Sequence, residues 1–503
     1  MQLRTLLQDL TVASVQGNTS VDITGVQQDS RAVKAGNLFV AMPGATPRSR
    51  HGLEFVEQAL ANGAAAVLAS EATPAVKKAK AYVVASDVPL ALSVVAEAFH
   101  GNPSRKMRLL GVTGTNGKTT SAHLLEAMAR AAGEKAGFIG TTAVRVGDEE
   151  RPATHTTPPS EMLSALLAEM VQKGVRTAAM EVSSHALALH RVDGLRYGGA
   201  IFTNFTQDHL DFHETMDAYF QAKARLFTEL LPSVGTAVLN IDDERVATLV
   251  GQCKGRVATI SATGKNASLS AKRVDWDEEG TRILVDGEMG RFELRTPLVG
   301  TYNVANLLGA AALHLGTGTR LDAVIKGAAE LKGVPGRLEA VKHPRGARVL
   351  VDYAHTPDAL ERALEAVRPY VATGGRLFCI FGCGGDRDPL KRPKMGAIAA
   401  RLSDVAVLTN DNPRSEKPEA IADAILGGMG DVVKLEKSLR GNGVHVELDR
   451  AVAIARAVRA AGKGDVVLIA GKGHEREQIF ADRKIPFDDR VAAAAAFEQG
   501  EER

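Results

Sequence analysis

Past residue 335 four apolar runs of strand length each end in a polar or glycine-rich loop, without amounting to an internal sequence repeat. The four segments are RVLVDYAHTPD, RLFCIFGCGGDRD, DVAVLTNDNPRSE and DVVLIAGKGHE. Apolar runs of this kind, alternating with stretches of helical spacing, predict a parallel sheet, and such sheets bind ligands at the carboxyl ends of their strands. All four loops are therefore expected on one rim. Nearer the N-terminus, HGLEFVEQALANGAAAVLAS (51–70) reads as an amphipathic helix stopped at Gly63 and followed by a short strand. AYVVASDVPLALSVVAEAFH continues with a strand and a helix. Two breaker clusters, GNPSRK (101–106) and LKGVPGRLE with Gly333, Pro335 and Gly336, divide the chain into 1–105, 106–335 and 336–503. Three domains agree with 503 residues at roughly 100 to 200 residues per domain. An Ala-rich helix is expected near the C-terminus (491–497).

Charge changes little in this picture. With 61 basic against 59 acidic residues, nothing global favours nucleic acid or an anionic membrane as a partner, so any anion must be held locally. Cys253, Cys379 and Cys383 are odd in number and lack zinc-type spacing, which favours a reducing compartment and structural thiols. MQLRTLLQDL places Asp9 and two glutamines where a signal peptide would have its apolar core, and no run of ~18 apolar residues occurs. A soluble, cytoplasmic protein is expected.

MRLLGVTGTNGKTTSAHLLEAMARAAG (107–133) is an apolar strand, a glycine-rich loop and a helix whose Leu124, Leu125 and Met128 share a face. Backbone N–H groups of Gly114, Thr115, Asn116, Gly117, Lys118, Thr119 and Thr120 can converge on phosphate at the helix N-terminus. Lys118 would neutralise β/γ-phosphate charge, and the Thr119 hydroxyl would ligate Mg²⁺. The pattern departs from the usual phosphate loop, because Val112 stands five residues before Gly117 and the glycine sits one earlier, at Gly111.

Further features of this region suit phosphoryl transfer. TAAMEVSSH (177–185) puts Glu181 near a strand end, and IFTNFTQDHLDFH (201–213) ends a strand in an Asp/His-rich loop. Glu181 and His209 are candidate Mg²⁺ ligands, since a hard cation prefers oxygen and tolerates one imidazole. Taken alone, either reads more readily as a surface or capping residue. MDAYFQAKARLF (216–227) carries Lys223, which by itself could be a solvated lysine. LVGTYNVANLLGAA (298–311) offers Asn303 and Asn306, able to read an adenine edge or to cap a helix.

In order along the chain, GVTGTNGKTT, MEVSSH, NFTQDHLDFH, YFQAKARLF, GTYNVANLLGA, GRLE, VDYAHTPD and GKGHE resemble the ATP-dependent Mur ligases of peptidoglycan synthesis. The resemblance covers essentially the whole chain. DSRAVKAGNLFVAMPG and DNPRSE bring it nearest to the branch acting on UDP-N-acetylmuramoyl-L-alanyl-D-glutamate. Folylpolyglutamate synthases share the GTNGKT loop and the three-domain plan, but are not expected to carry this N-terminal region or the DNPR turn. The resemblance implies an α/β fold with an N-terminal uridine-nucleotide-binding domain, a central ATPase-like domain with a mainly parallel sheet, and a C-terminal Rossmann-like domain. It implies ATP and Mg²⁺ as cofactors, small-molecule substrates, and a monomer without nucleic-acid or membrane partners. It also implies a chemistry: ATP phosphorylates the γ-carboxylate of D-glutamate, and an amine attacks the acyl phosphate. That agrees with the residues, because a carboxylate becomes a useful electrophile only when its oxygen is made a leaving group, and in-line transfer needs cations around the γ-phosphate.

Carried over by position, Lys118 and Thr119 hold phosphate and Mg²⁺, Glu181 and His209 serve the metal, and Asn306 faces adenine. Arg337 in GVPGRLE and Asp352 in VDYAHTPD match residues that close the third domain over ATP in the family. Lys223 falls where the family carries a carbamylated lysine, whose added carboxylate helps a Mg²⁺ site. Ser30 and the Gly44–Ala45–Thr46 loop match positions for the uridine diphosphate, and Thr156, Thr157, Ser183 and Arg191 match positions for the muramoyl dipeptide. His155 departs from the pattern, which has asparagine there.

The acceptor amine could come from lysine or from meso-diaminopimelate, which differ by one distal carboxylate. A guanidinium reads that carboxylate bidentately, which makes Arg414 the selecting residue. Arg387 in GGDRD can bind the same or the second carboxylate, and Glu475 in GKGHE can pair with the distal ammonium. Asp411 and Asn412 add acceptors, Pro413 fixes the backbone before Arg414, and Gly471 leaves room for backbone approach. Outside this context Asn-Pro-Arg reads as an exposed turn. The alternatives are a lysine-adding ligase, a ligase recycling preassembled peptides, and an ATP-gated binding module without chemistry. DNPR disfavours the first, and an acceptor-amine pocket has no use in the last.

Overall fold

The computed structural model describes residues 1–11, 14–44, 50–277, 280–436 and 439–498. Ala45 and Thr46, expected in a nucleotide-binding loop, lie outside the described residues. The chain forms two compact units: Met1–Ser270 with Asp286–Arg291 and Leu307–Ala328, and Ala271–Val285 with Phe292–Asn306 and Ala329–Arg503.

The first unit contains two sheets. Strands β1 (Ser14–Gly17), β2 (Gly25–Gln27), β3 (Asn37–Val40), β4 (Ala66–Ala69) and β5 (Ala81–Val84) run in the order β1-β5-β4-β3-β2. All pairs are parallel except β1 with β5 at the edge. Alternation along the strands sends Leu38, Val40 and Leu68 toward the helix Val88–Phe99, and Phe39, Val67 and Ala69 toward Val56–Ala61. The expected stop at Gly63 is present, with φ +95°.

The second sheet of this unit comprises β6 (Arg108–Thr113), β7 (Ala136–Ile139), β8 (Val144–Val146), β9 (Glu149–Arg151), β10 (Thr177–Glu181), β11 (Gly199–Phe202), β12 (Thr236–Asn240) and β13 (Arg256–Ser261). Their order is β13-β12-β11-β6-β10-β7-β8-β9, parallel from β13 to β7 with β8 and β9 as an antiparallel edge. The strands β6 and β10 are central and buried, so the loops after them emerge side by side. Leu124, Leu125 and Met128 of the helix Lys118–Ala131 are buried, as their spacing predicts.

β14 (Leu269–Asp277) runs from the first unit into the second, where β15 (Gly280–Asp286) and β16 (Phe292–Thr296) pair antiparallel. The main sheet of the second unit comprises β17 (Glu339–Val341), β18 (Arg348–Asp352), β19 (Leu377–Phe381), β20 (Val405–Leu408), β21 (Gly443–Val446) and β22 (Val466–Ala470), in the order β17-β18-β22-β19-β20-β21. Only β17 is antiparallel. Leu360, Leu364, Met395 and Ile421, on the helices after β18, β19 and β20, cover one face. Ile454, Val458, Ala493 and Ala496 cover the other from Arg450–Ala460 and Asp489–Glu498. The registers Asp352↔Ala470, Ile380↔Ile469 and Phe381↔Leu408 place the four polar loops on one rim, as the apolar pattern predicts. A short hairpin, β23 (Glu477–Ile479) and β24 (Lys484–Pro486), follows the last loop. Among the described residues no helix is long and apolar enough to cross a membrane.

Candidate active site

The loop after β6 is possible only with glycine at two places. Gly114 has φ +140°, and a Cβ there would stand 1.9 Å from Thr203 Oγ1. Gly117 caps the helix Lys118–Ala131 at φ +86°, a left-handed conformation that glycine alone adopts freely. The loop thereby leads directly into the helix N-terminus, where the dipole favours an anion. Lys118 Nζ folds back over the loop, donating to the carbonyls of Gly114 (2.9 Å) and Thr115 (2.8 Å). Asn116 N donates to Asn204 Oδ1 at 3.0 Å, and Thr115 Oγ1 donates to the Thr206 carbonyl at 3.1 Å, tying the loop to the segment after β11. Thr120 is buried beneath it.

Glu181 ends β10 directly beside this loop. Its Oε2 accepts from Thr119 Oγ1 at 3.0 Å, and Oε1 accepts from Thr141 N at 2.8 Å. This hydroxyl–carboxylate pair at a helix N-terminus is a hard-oxygen donor set of the kind Mg²⁺ prefers, so the residues fit the ion. Lys223 is 1% exposed and donates to the Gly114 carbonyl at 2.9 Å. It is no solvated lysine: its amine lies 4.6 Å from the centroid of Tyr219. Burial, aided by the charge of Lys118, holds its pKa well below the usual lysine value. His209 precedes the short helix Leu210–His213 with φ +52°, its Nε2 3.4 Å from Asp208 Oδ2. Burial lowers its pKa, and the ring of His185 is 4.8 Å away. Among the described residues no group of three or more His, Cys, Asp or Glu side chains is arranged to hold a metal. Of the expected set Thr119, Glu181, His209 and Lys223, Thr119 and Glu181 are in direct hydrogen-bond contact.

Thr157 connects this centre to the expected dipeptide residues. Its Oγ1 donates to the Glu181 carbonyl at 2.8 Å and accepts from Ser183 N at 3.0 Å, while its own carbonyl accepts from Arg191 Nη1 at 3.2 Å. Thr156 Oγ1 lies 3.0 Å from Thr141 Oγ1. Thr156, Thr157, Ser183 and Arg191 thus gather at the end of β10. His155 is exposed and pairs with Thr154 at 3.0 Å. Ser30 donates to Gln58 Oε1 at 2.9 Å, and Gly44 follows β3 of the N-terminal sheet.

In the second unit Asn303 and Asn306 lie inside the helix Thr301–Gly316, which corrects the capping alternative. Asn306 Nδ2 donates to Asn303 Oδ1 at 2.9 Å, and Asn303 Nδ2 donates back to the Val299 carbonyl at 2.7 Å. Asp352, at the end of β18, accepts from Leu338 N and Ala354 N, each at 2.8 Å. The Arg337 guanidinium stands over Tyr353, 4.9 Å from its centroid. Burial raises the Asp352 pKa, and Arg337 opposes that rise.

On the rim, Asp411, Asn412 and Pro413 are buried, so DNPR is not an exposed turn. Arg414 has φ +52°, donates its backbone N–H to the Ile479 carbonyl at 3.1 Å, and places Nη1 2.8 Å from the Gly385 carbonyl. A Cβ on Gly384 would meet Arg414 Nη1 at 2.9 Å and Arg387 Cγ at 3.8 Å, so the two arginines flank this glycine. Asn412 Nδ2 donates to Glu475 Oε2 at 3.0 Å, and its Oδ1 accepts from Lys472 Nζ at 3.0 Å and Ile479 N at 3.0 Å. Lys472 is fully buried, 2.9 Å from Glu475 Oε2 and 3.8 Å from Asp411 Oδ1. A Cβ on Gly471 would be 3.2 Å from Asp411 Oδ2, which leaves little tolerance between the two loops.

Sequence comparison matches the Mur ligase family catalytic domain to residues 22–100, the Mur ligase middle domain to 112–314, and the Mur ligase glutamate ligase domain to 336–473. The chain is 45% identical over 487 residues to a UDP-N-acetylmuramoyl-L-alanyl-D-glutamate–2,6-diaminopimelate ligase of Gloeobacter violaceus, covering 96% of this chain and 95% of that one. The chain belongs to the Mur ligase family. A ligase of the same name from Geobacillus kaustophilus is 41% identical, over 99% of this chain and all of the other. A solved structure bearing that name superposes with a TM-score of 0.71 at 31% identity, covering 99% of each chain. The MurF ligase from Thermotoga maritima in complex with ADP shares the fold, with a TM-score of 0.61 at 19% identity over 94% of this chain and 97% of that one. The three-domain Mur ligase architecture is therefore that of this chain, as the resemblance implies.

Lys472 was not assigned from the sequence, although it stands in the quoted GKGHE. The available signal is its place between two glycines immediately after an apolar run. Arg450 and Asp489 left no such signal, since each looks like an ordinary helix-start residue. In this Mur ligase they form a fully buried ion pair at 2.7 Å.

Proposed function

We propose that this chain is an ATP-dependent ligase that joins meso-diaminopimelate to the D-glutamate γ-carboxylate of UDP-N-acetylmuramoyl-L-alanyl-D-glutamate, through an acyl phosphate, in peptidoglycan precursor synthesis. The observation that supports it most is the rim of the second unit, where Arg414 and Arg387 flank Gly384 beside an Asp411–Asn412–Lys472–Glu475 network. Two guanidinium groups suit carboxylates, and a carboxylate-rich network suits an ammonium. A compound with both at its distal end satisfies both halves, whereas lysine would leave a guanidinium facing no carboxylate.

In this reading the Gly114–Thr120 amides and Lys118 cradle the ATP phosphates, and Asn306, Arg337 and Asp352 take the ATP-directed roles that the family resemblance implies. Thr119 and Glu181, with His209 and a carbamylated Lys223, would hold Mg²⁺. When bound, Mg²⁺ supplies Lewis-acid neutralisation of the phosphate oxygens. Thr156, Thr157, Ser183 and Arg191 orient the dipeptide so that its carboxylate meets the γ-phosphate, and Ser30 with Gly44, Ala45 and Thr46 holds the uridine diphosphate. Lys118 and the loop amides then stabilise the charge that spreads over the transferred phosphoryl group. The acceptor amine attacks the acyl carbon, and phosphate leaves. A cytoplasmic monomer is the expected form.

The test is ADP and phosphate release with ATP, Mg²⁺, the UDP-linked dipeptide and diaminopimelate, with each component omitted in turn. Release that requires all of them supports the proposal. ATP turnover indifferent to the amino acid would contradict it.

A further inference from the structure

Arg450 begins the helix Arg450–Ala460, and its side chain and that of Asp489, the first residue of the C-terminal helix, are both fully buried. Nε and Nη2 each donate to the carboxylate at 2.7 Å. The remaining contacts give the pair a direction. Nη1 donates to the Asn410 carbonyl at 3.1 Å, and Nη2 also donates to the Ala470 carbonyl at 3.0 Å. These carbonyls lie at the carboxyl ends of β20 and β22, which are separated by β19 in the sheet. One guanidinium therefore bridges two non-adjacent strands at the point where each turns into a rim loop.

The residues that follow these carbonyls are Asp411 and Gly471. They approach so closely that a Cβ on Gly471 would stand 3.2 Å from Asp411 Oδ2. Asp411 Oδ1 is buried without a hydrogen-bond partner among the described residues, and Lys472 Nζ is 3.8 Å from it. The two loops are thus in close contact at Asp411 and Gly471, and the Arg450 fork bonds the carbonyl immediately before each.

We propose that Arg450 and Asp489 are positioning residues for amino-acid selection, and that the C-terminal helix, through Asp489, holds the two acceptor-reading loops in register. The inference rests on the rim being the amino-acid site. Neither residue touches substrate. Asp489 fixes the plane of the guanidinium, and the guanidinium fixes the two loop origins. A lysine at 450 could pair with Asp489 but has no planar fork with which to reach both carbonyls.

The experiment compares Arg450→Lys and Asp489→Asn with Val458→Ala, a core truncation in the same helix that leaves the fork intact. The expected result for the first two is a diaminopimelate KM raised about tenfold or more, as for small misplacements of binding groups, with KM for ATP and for the UDP-linked substrate unchanged. Val458→Ala should lower thermal stability without changing any KM. An equal rise in diaminopimelate KM for Val458→Ala, or a uniform shift of all three KM values, would overturn the clamp. Amide hydrogen exchange of the substrate-free protein is the second measurement. Asp489→Asn should speed exchange at 411–414 and 471–475 more than Val458→Ala does, and equal exchange would overturn the inference. If the wild type shows no diaminopimelate-dependent turnover, the reading of the rim fails, and the exchange result still decides whether the pair registers the loops.

Discussion

Lys118 and Lys223 donate to the same atom, the carbonyl oxygen of Gly114, each at 2.9 Å. Two ammonium ions on one acceptor are unfavourable, and the fully buried Lys223 is the one pushed toward the neutral amine. A neutral amine is the form that reacts with carbon dioxide. We expect Lys223 to be carbamylated under turnover conditions, so activity should fall in carbonate-depleted buffer and return with bicarbonate. Lys223→Arg, which keeps a permanent charge, should lower kcat by roughly 10²-fold or more, on the scale of losing one preorganised electrostatic group, and bicarbonate should not restore it.

Gly114→Ala tests the phosphate loop. The substitution demands a left-handed backbone at φ +140° and collides with Thr203 Oγ1, so nucleotide binding should be lost while the rim of the second unit is untouched. Isothermal titration with ADP checks this. An unchanged ADP affinity would remove the loop from the nucleotide site.

These tests divide between what the sequence displayed and what it concealed. The glycine-rich strand–loop–helix turn and the four-loop rim were legible because glycines at fixed offsets and uninterrupted apolar runs are local signals. The Glu181–Thr119 contact was not, since it depends on β10 lying beside β6 with Glu181 opposite Val112, a pairing between distant segments. Asn303 and Asn306 looked like possible caps because their helix starts earlier than the sequence suggests, at Thr301. DNPR passes for an exposed turn in isolation, and its burial comes from Gly385, Ile479 and Lys472, which reach it from three other segments.

Histidine 314 gives a pH prediction. It is buried between Thr319 Oγ1 at 2.9 Å and the Leu125 carbonyl at 2.8 Å. The carbonyl can only accept, so Nε2 carries the proton and Nδ1 accepts from the threonine. Burial depresses its pKa from 6.5 to about 4. Between those values the unfolded chain binds the extra proton, so stability falls as pH drops through this window, by at most about 3 kcal/mol. Wild type minus His314→Gln stability, measured by denaturant unfolding at pH 7 and at pH 4.5, should show this loss. A difference independent of pH would contradict the assignment.

Lys472 balances Asp411 and Glu475 from a fully buried position. Lys472→Met should leave two carboxylates facing each other, release the Asn412 amide, and raise the diaminopimelate KM by roughly 10²-fold, the scale of losing a buried charged hydrogen bond of about 3 kcal/mol. Steady-state kinetics with ATP as the control substrate checks it, since the ATP KM should stay unchanged.

The central claim, that the DNPR rim reads a distal carboxylate, is tested most directly by the ratio of kcat/KM for meso-diaminopimelate over L-lysine. The wild type should favour diaminopimelate by roughly 10⁴-fold, as expected where a site's buried polar groups lose their partner, and Arg414→Ala should collapse most of that ratio. Comparable turnover of lysine by the wild type, or a ratio unchanged in Arg414→Ala, would contradict the account.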